Sequence, residues 1–162
     1  MQLVQVVKTP DSVAAKSVSL ANVMSYQNDA VVARIKRELG CSHEKAVSVF
    51  EDTKKFLWLC TEGAGSCIPS PVIDEGWHTF LLFTKDYQDF CQKYLGKFIH
   101  HRPSRPEDPP NDGSALRNTL VTIELKLGGN LGENWHYPKS KFSAECSGSD
   151  SCSGTTNCQE AQ

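Results

Sequence analysis

Asp74, His78, His100 and His101 are the residues of this 162-residue chain whose types and spacing best suit chemistry. Two imidazoles and a carboxylate make the open, partly hydrated coordination of Zn²⁺ or of a non-haem Fe²⁺. Asp74 and His78 stand four apart, so on a helix they stack one above the other and present two ligands from one face. His100 and His101 lie in the run Lys97-Phe-Ile-His-His-Arg-Pro103, which is expected to be extended because residues before proline avoid helical dihedrals. The expectation is a metal site of Asp74, His78, His100 and His101, with zinc or non-haem iron as its cofactor. The spacing is not His-Glu-x-x-His, and other readings of the same residues stay open. Asp74 can serve behind the metal by accepting the other N–H of His78. Asp74 and His78 can form an acid–base pair without metal. Alternatively, the imidazoles hold the extended segment in place through hydrogen bonds alone.

The remaining reactive side chains have simpler explanations. Cys91 sits on an apolar helical stripe, where a buried thiol is inert and a Cys–His nucleophile is not expected. Trp77 and Tyr87 are read as core, His43 as solvent-facing, and His136 as a residue that could reach the same cleft. Cys146, Cys152 and Cys158 are separated by five residues each and do not form the close pairs of structural zinc sites. A glycine-rich phosphate loop, a nucleophile elbow and a dinucleotide fingerprint are all missing from the sequence.

Helical periodicity supplies the elements that must carry these residues. From Asp29, Val31, Val32, Ile35 and Leu39 make an apolar face that Gly40 ends. Ser42 caps the longest helix, whose stripe Ala46, Phe50, Thr53, Leu57 and Cys60 is wide enough to be buried against more than one neighbour. Gly63-Ala64-Gly65-Ser66 breaks it. Ser70-Pro71 is a cap followed by proline at the first helical position, and opens the helix bearing Asp74 and His78. Gly76 inside that helix costs up to about 1 kcal/mol against Ala, which points to a close neighbour. Thr84 is expected to cap a helix through Tyr87, Phe90, Cys91 and Leu95, closed by Gly96. The short link between these two helices makes a hairpin or sharp corner that brings His78 near the chain after Gly96. After a proline-rich surface loop, Leu116, Leu120, Ile123 and Leu127 define a last helix, and residues 131–137 fold back irregularly onto the body.

The fold class expected is therefore all-α, about five helices in an orthogonal or bundled arrangement. Residues 1–25 are expected as a loosely ordered N-terminal arm, 26–138 as the helical domain, and 139–162 as a disordered Ser/Gly/Cys tail. Lys and Arg number 17 against 19 Asp and Glu, so the net charge of -2 gives no electrostatic reason for a nucleic-acid or anionic-membrane partner. Seven cysteines, an odd number, and an N-terminus without a basic, apolar leader favour a reducing, cytoplasmic setting.

The run Pro71-Val-Ile-Asp74-Glu-Gly-Trp77-His78-Thr-Phe-Leu-Leu-Phe-Thr84, followed by Tyr87, Phe90-Cys91, Gly96 and His100-His101-Arg-Pro103, resembles the helical domain of glycine-rich domain-containing proteins and their small bacterial relatives. The similarity covers roughly residues 40–137 and is most specific over 69–103. It implies an all-helical body and marks Asp74, Trp77, His78, Cys91, His100 and His101; it supplies no reaction. Plant relatives carry a second His where this chain has Phe80, and the long glycine-rich segment is replaced here by the short Ser/Gly/Cys tail. Two functions follow as expectations. One is a small cytosolic helical protein with a His/Asp site for a divalent metal or other ligand. The other is a non-enzymatic interaction module whose Cys-containing tail tethers or is modified. The residues do not decide between enzyme and binding protein, and the partner is an unspecified protein or small molecule.

Overall fold

The computed structural model describes residues 18–62, 67–102, 107, 113–129 and 131–138, and over these the chain is all-α with no strand. Its helices are α1 (Leu20–Met24), α2 (Asp29–Leu39), α3 (His43–Glu62), α4 (Pro71–Leu81), α5 (Thr84–Phe90) and α6 (Ser114–Leu127). A π-helical turn, Cys91–Leu95, continues α5, and a short 3-10 turn spans Glu133–Trp135. No helix among the described residues is long and apolar enough to cross a membrane. Residues 1–17 and the expected tail, with Cys146, Cys152 and Cys158, lie outside the described residues.

Five of the helices fall where periodicity puts them. The sixth, α1, lies inside the stretch read as an N-terminal arm. Val23 is fully buried, and the Trp58 indole donates to the Val18 carbonyl at 2.7 Å, so the helical body begins at least by residue 18. Five residues with one core side chain carry too weak a period to announce a helix.

The long helix α3 is the spine. It packs against α1, α2, α4, α6 and both irregular turns, as its wide apolar stripe requires. Ser42 caps it by accepting the Lys45 amide at 3.2 Å, and α2 ends at Gly40, which takes the left-handed φ of 58° that closes a helix. Lys54 is fully buried on α3, where its ammonium donates to the carbonyls of Met24 (3.1 Å) and Tyr26 (2.5 Å) and pairs with Glu51 at 2.8 Å. The cation thereby closes the exit from α1.

The position of α4 is fixed at three points. Ser70 accepts the Ile73 amide at 3.3 Å and donates to the Asn134 carbonyl. Asn134, nearly fully buried, donates to Asp52 and Ser48 of α3, each at 2.9 Å. At mid-helix, Gly76 lies so near α3 that a Cβ there would overlap Thr53 Oγ1 and come within 2.9 Å of Val49 Cγ1. Finally Phe80, fully buried, meets Phe50 at 5.2 Å, Tyr87 at 5.2 Å and Phe90 at 5.3 Å between ring centroids. Each such buried aromatic contributes about 1.5–3 kcal/mol relative to exposure.

The corner between α4 and α5 differs from expectation in one detail. Thr84 is the first residue of α5 and not its cap, a place taken by Phe83 without a side-chain hydrogen bond. The chain leaves α4 so tightly that backbone bonds do the work: the Phe83 amide donates to the Phe80 carbonyl at 3.0 Å, and the Tyr87 amide to the Phe83 carbonyl at 2.8 Å. The segment after α6 folds back as expected. Trp135 and Tyr137 are buried, and the Tyr137 hydroxyl donates to the Ile68 carbonyl at 3.0 Å.

Candidate metal centre

Asp74 sits in the first turn of α4 and His78 one turn further on, the first half-buried and the second exposed. His101 arrives from the segment after the π-turn. The ligand atoms of the three residues lie within 4.8 Å of one another. The two carboxylate oxygens divide the work. Oδ1 lies 3.1 Å from His101 Nε2, and Oδ2 lies 3.8 Å from His78 Nδ1. The imidazole rings of His78 and His101 lie 4.4 Å apart between centroids, tilted by 56°. The cluster is graded in burial, with the His101 side chain 14% exposed, Asp74 34% and His78 45%, so one side opens to solvent.

His101 is delivered by a relay that begins in the core. The Trp77 indole donates to the Tyr87 hydroxyl at 3.0 Å, and that hydroxyl donates to the Ile99 carbonyl at 2.6 Å. The relay ties the returning segment to the α4–α5 corner two residues before His101. The ring then lodges against the edge of Trp77, 4.6 Å between centroids at 72°. Burial holds the Tyr87 hydroxyl neutral, pushing its ionisation well above the ordinary tyrosine range. Cys91 lies beneath the same knot, within reach of the Ile99 amide and the Tyr87 hydroxyl, and burial pushes its thiol up as well. It is a core residue, as its stripe implies.

His100 does not join the cluster. The expected fourth ligand is exposed, with its ring against Phe98 at 4.7 Å. The adjacent rings have different neighbours: His100 packs on Phe98, two residues back, whereas His101 packs on Trp77 and His78 of α4. Nor does His136 reach the cluster. It is exposed and lines a separate groove of about 370 Å³ together with Leu120, Ile123, Leu131, Trp135 and Tyr137. Position 80 has its own answer: Phe80 faces the aromatic core, so the cluster assembles without it.

The donor set can be tested against a cation's needs. In tetrahedral zinc with Zn–N bonds of about 2.0–2.1 Å, neighbouring ligand atoms are roughly 3.3 Å apart. The 3.1 Å between Asp74 Oδ1 and His101 Nε2 is close to that edge, and one ligand atom from each of the three residues lies within 4.8 Å of the others. Since a carboxylate only accepts, the short contact from His101 Nε2 to Asp74 is an N–H donation in the metal-free protein. A divalent cation held at Nε2 would take the place of that proton.

The model of the UCP032817-like family matches residues 20–121, about two thirds of the chain, and the chain belongs to that family. The match spans α1 to the middle of α6 and includes Asp74, His78 and His101. It does not carry the glycine-rich name that the resemblance suggested. No curated protein and no solved structure matches the chain.

Proposed function

For this member of the UCP032817-like family we propose a divalent-metal site formed by Asp74, His78 and His101, taking zinc or ferrous iron. The observation that carries the reading is the convergence of two imidazoles and one carboxylate to within 4.8 Å at a solvent-facing corner of a rigid helical hairpin. Imidazole and carboxylate together suit zinc and non-haem iron better than calcium or magnesium, which prefer oxygen alone. Three protein ligands leave coordination open to water or a small molecule, as in sites that polarise a bound ligand and unlike closed structural ones. Odd cysteine usage supports a reducing, cytoplasmic setting for such a site.

The test is elemental analysis of full-length protein purified without an affinity tag, followed by calorimetric titration of the stripped protein with Zn²⁺. Near-stoichiometric zinc or iron, lost in His78→Ala and His101→Ala, supports the site. Substoichiometric zinc, iron, manganese and copper together with no calorimetric binding removes it. The 3.1 Å hydrogen bond between His101 and Asp74 favours one alternative, a metal-free Asp–His pair that fixes an imidazole tautomer for proton transfer. The same titration separates the two, because that pair takes up no zinc.

A further inference from the structure

The groove that His136 lines contains a polar group that the fold leaves unused. Trp135 lines the same groove and is only 6% exposed; its indole nitrogen is closed to solvent and has no hydrogen-bond partner among the described residues. The other two tryptophans are satisfied, Trp58 by the Val18 carbonyl at 2.7 Å and Trp77 by the Tyr87 hydroxyl at 3.0 Å. The polar groups of the groove wall are engaged elsewhere. The Tyr137 hydroxyl donates to the Ile68 carbonyl at 3.0 Å, Glu133 pairs with Lys45, and the Gly129 and Gly132 carbonyls each accept an amide at 3.1 Å. The aliphatic part of the wall comes from Leu120 and Ile123 of α6 and from Leu131, and Leu120 is 38% exposed.

We propose that this groove binds a small neutral acyl compound, an aliphatic chain headed by an amide or ester carbonyl whose oxygen accepts the Trp135 indole N–H. Each part of the ligand answers part of the wall. Leu120, Ile123 and Leu131 give the chain an apolar bed, which favours its transfer from water. A buried donor without an acceptor gains from a ligand that supplies one, and discriminates against a ligand that does not. Glu133 lines the same groove and opposes a carboxylate head, so the neutral carbonyl is preferred. At about 30 Å³ for a water-sized group, 370 Å³ takes roughly a dozen non-hydrogen atoms, the size of a medium-chain amide. Binding includes a small turn of the indole, since its nitrogen is closed off before the ligand arrives. Asp74, His78 and His101 do not line the groove, so the site does not depend on a metal there.

The experiment titrates the ¹⁵N-labelled full chain with octanamide, octanoate and octylammonium, read at the indole N–H resonances of the three tryptophans in a proton–nitrogen correlation spectrum. The Trp135 resonance is the one missing from Trp135→Phe. Octanamide is expected to move it downfield and saturably, while Trp58 and Trp77, whose indoles already donate, stay in place. Octanoate is expected to act the same way with affinity several-fold weaker. Octylammonium carries the same chain without an acceptor and is expected to leave the resonance where it is.

Leu120→Lys gives a second readout at a partly exposed position, where far-UV circular dichroism should match the parent. It puts a charge on the bed of the chain and should weaken octanamide about 10-fold or more. The proposal is overturned if octanamide leaves the Trp135 resonance unmoved at millimolar concentration, if octylammonium moves it equally, or if all three indoles shift together. It is also overturned if Leu120→Lys binds octanamide as the parent does. Tighter binding of octanoate than of octanamide overturns the neutral head group.

Discussion

The hydroxyl of Tyr87 donates to the carbonyl of Ile99 at 2.6 Å, and so a core side chain of α5 sets where His101 stands two residues later. Tyr87→Phe keeps the ring and removes both ends of the relay, leaving the Trp77 indole without its acceptor. A buried donor so orphaned costs about 1–3 kcal/mol. Loss of a partner that orients a ligand typically weakens a metal site about 10–100-fold. The expected outcome is a lower urea midpoint and zinc affinity down about 10-fold, measured by calorimetry at a temperature where the variant is folded. Unchanged affinity beside lowered stability would mean that the relay serves packing only.

Gly76 offers a test of how tightly α4 is seated. Ala is the better helix former by up to about 1 kcal/mol, so on propensity alone Gly76→Ala stabilises. Its Cβ overlaps Thr53 Oγ1, which is itself held by a 2.8 Å bond to the Val49 carbonyl, and meets Val49 Cγ1 at 2.9 Å. Overpacking of this kind costs about 1–3 kcal/mol and reverses the sign. Gly76→Ala is expected to unfold at lower urea, and Thr53→Ala in the same chain to recover part of the loss through non-additivity. A raised midpoint in Gly76→Ala would contradict the close approach.

Lys54 is the one fully buried ammonium among the described residues, and its donors end on two carbonyls and a carboxylate. Lys54→Met preserves the stem and deletes the charge, leaving the Met24 and Tyr26 carbonyls without this donor and Glu51 without this cation. The expected cost is about 2–4 kcal/mol, within the range for breaking buried charged contacts. Because the lost bonds close the exit of α1, limited proteolysis should cut between Met24 and Asn28 before anywhere else in the described body. Cleavage beginning in α2 or α3 would point to a different weak point.

Apart from α1, the helices are legible because local punctuation marks them: Gly40 and Gly96 with positive φ, Ser42 and Ser70 as caps, Pro71 at a first turn. Gly76 announced a close neighbour correctly, because only packing explains a glycine there. Asp74 and His78 were legible as a pair through helical spacing. What spacing could not give was which of two adjacent histidines faces α4, since that depends on how the returning segment is tied down by the Tyr87–Ile99 bond. The same limit hid the partners of Lys54 and Asn134. These are distant in sequence, and no periodicity records a hydrogen bond between elements.

Alkaline pH should unfold the protein through Tyr137. Burial raises the ionisation of its hydroxyl above the ordinary value near 10. The folded state therefore keeps a proton that the unfolded chain releases once pH passes about 10. Stability from this group is fully present below that pH and is lost as pH rises from there toward the folded value. Tyr87 is shifted the same way and adds to the slope. Urea midpoints measured from pH 8 to 11 should fall steeply only above about 10, and Tyr137→Phe should flatten part of that fall while costing about 1 kcal/mol at pH 8 for the lost bond to Ile68. An equal slope in the variant would assign the alkaline loss elsewhere.

The sharpest separation is between two neighbours. His101 contacts Asp74 at 3.1 Å and faces His78, whereas His100 is exposed against Phe98. His101→Ala should abolish zinc binding at the cluster, and His100→Ala should leave the affinity within about 2-fold of the parent, because an exposed side chain outside the contact set contributes little. His78→Ala should weaken it by at least about 10-fold, retaining two donors of three. Calorimetry on stripped protein checks all three variants, with far-UV circular dichroism to establish that each keeps its helices. Equal losses in His100→Ala and His101→Ala would require the returning segment to swing both rings onto the ion, and would replace the three-ligand site with the four-ligand one that the sequence first suggests.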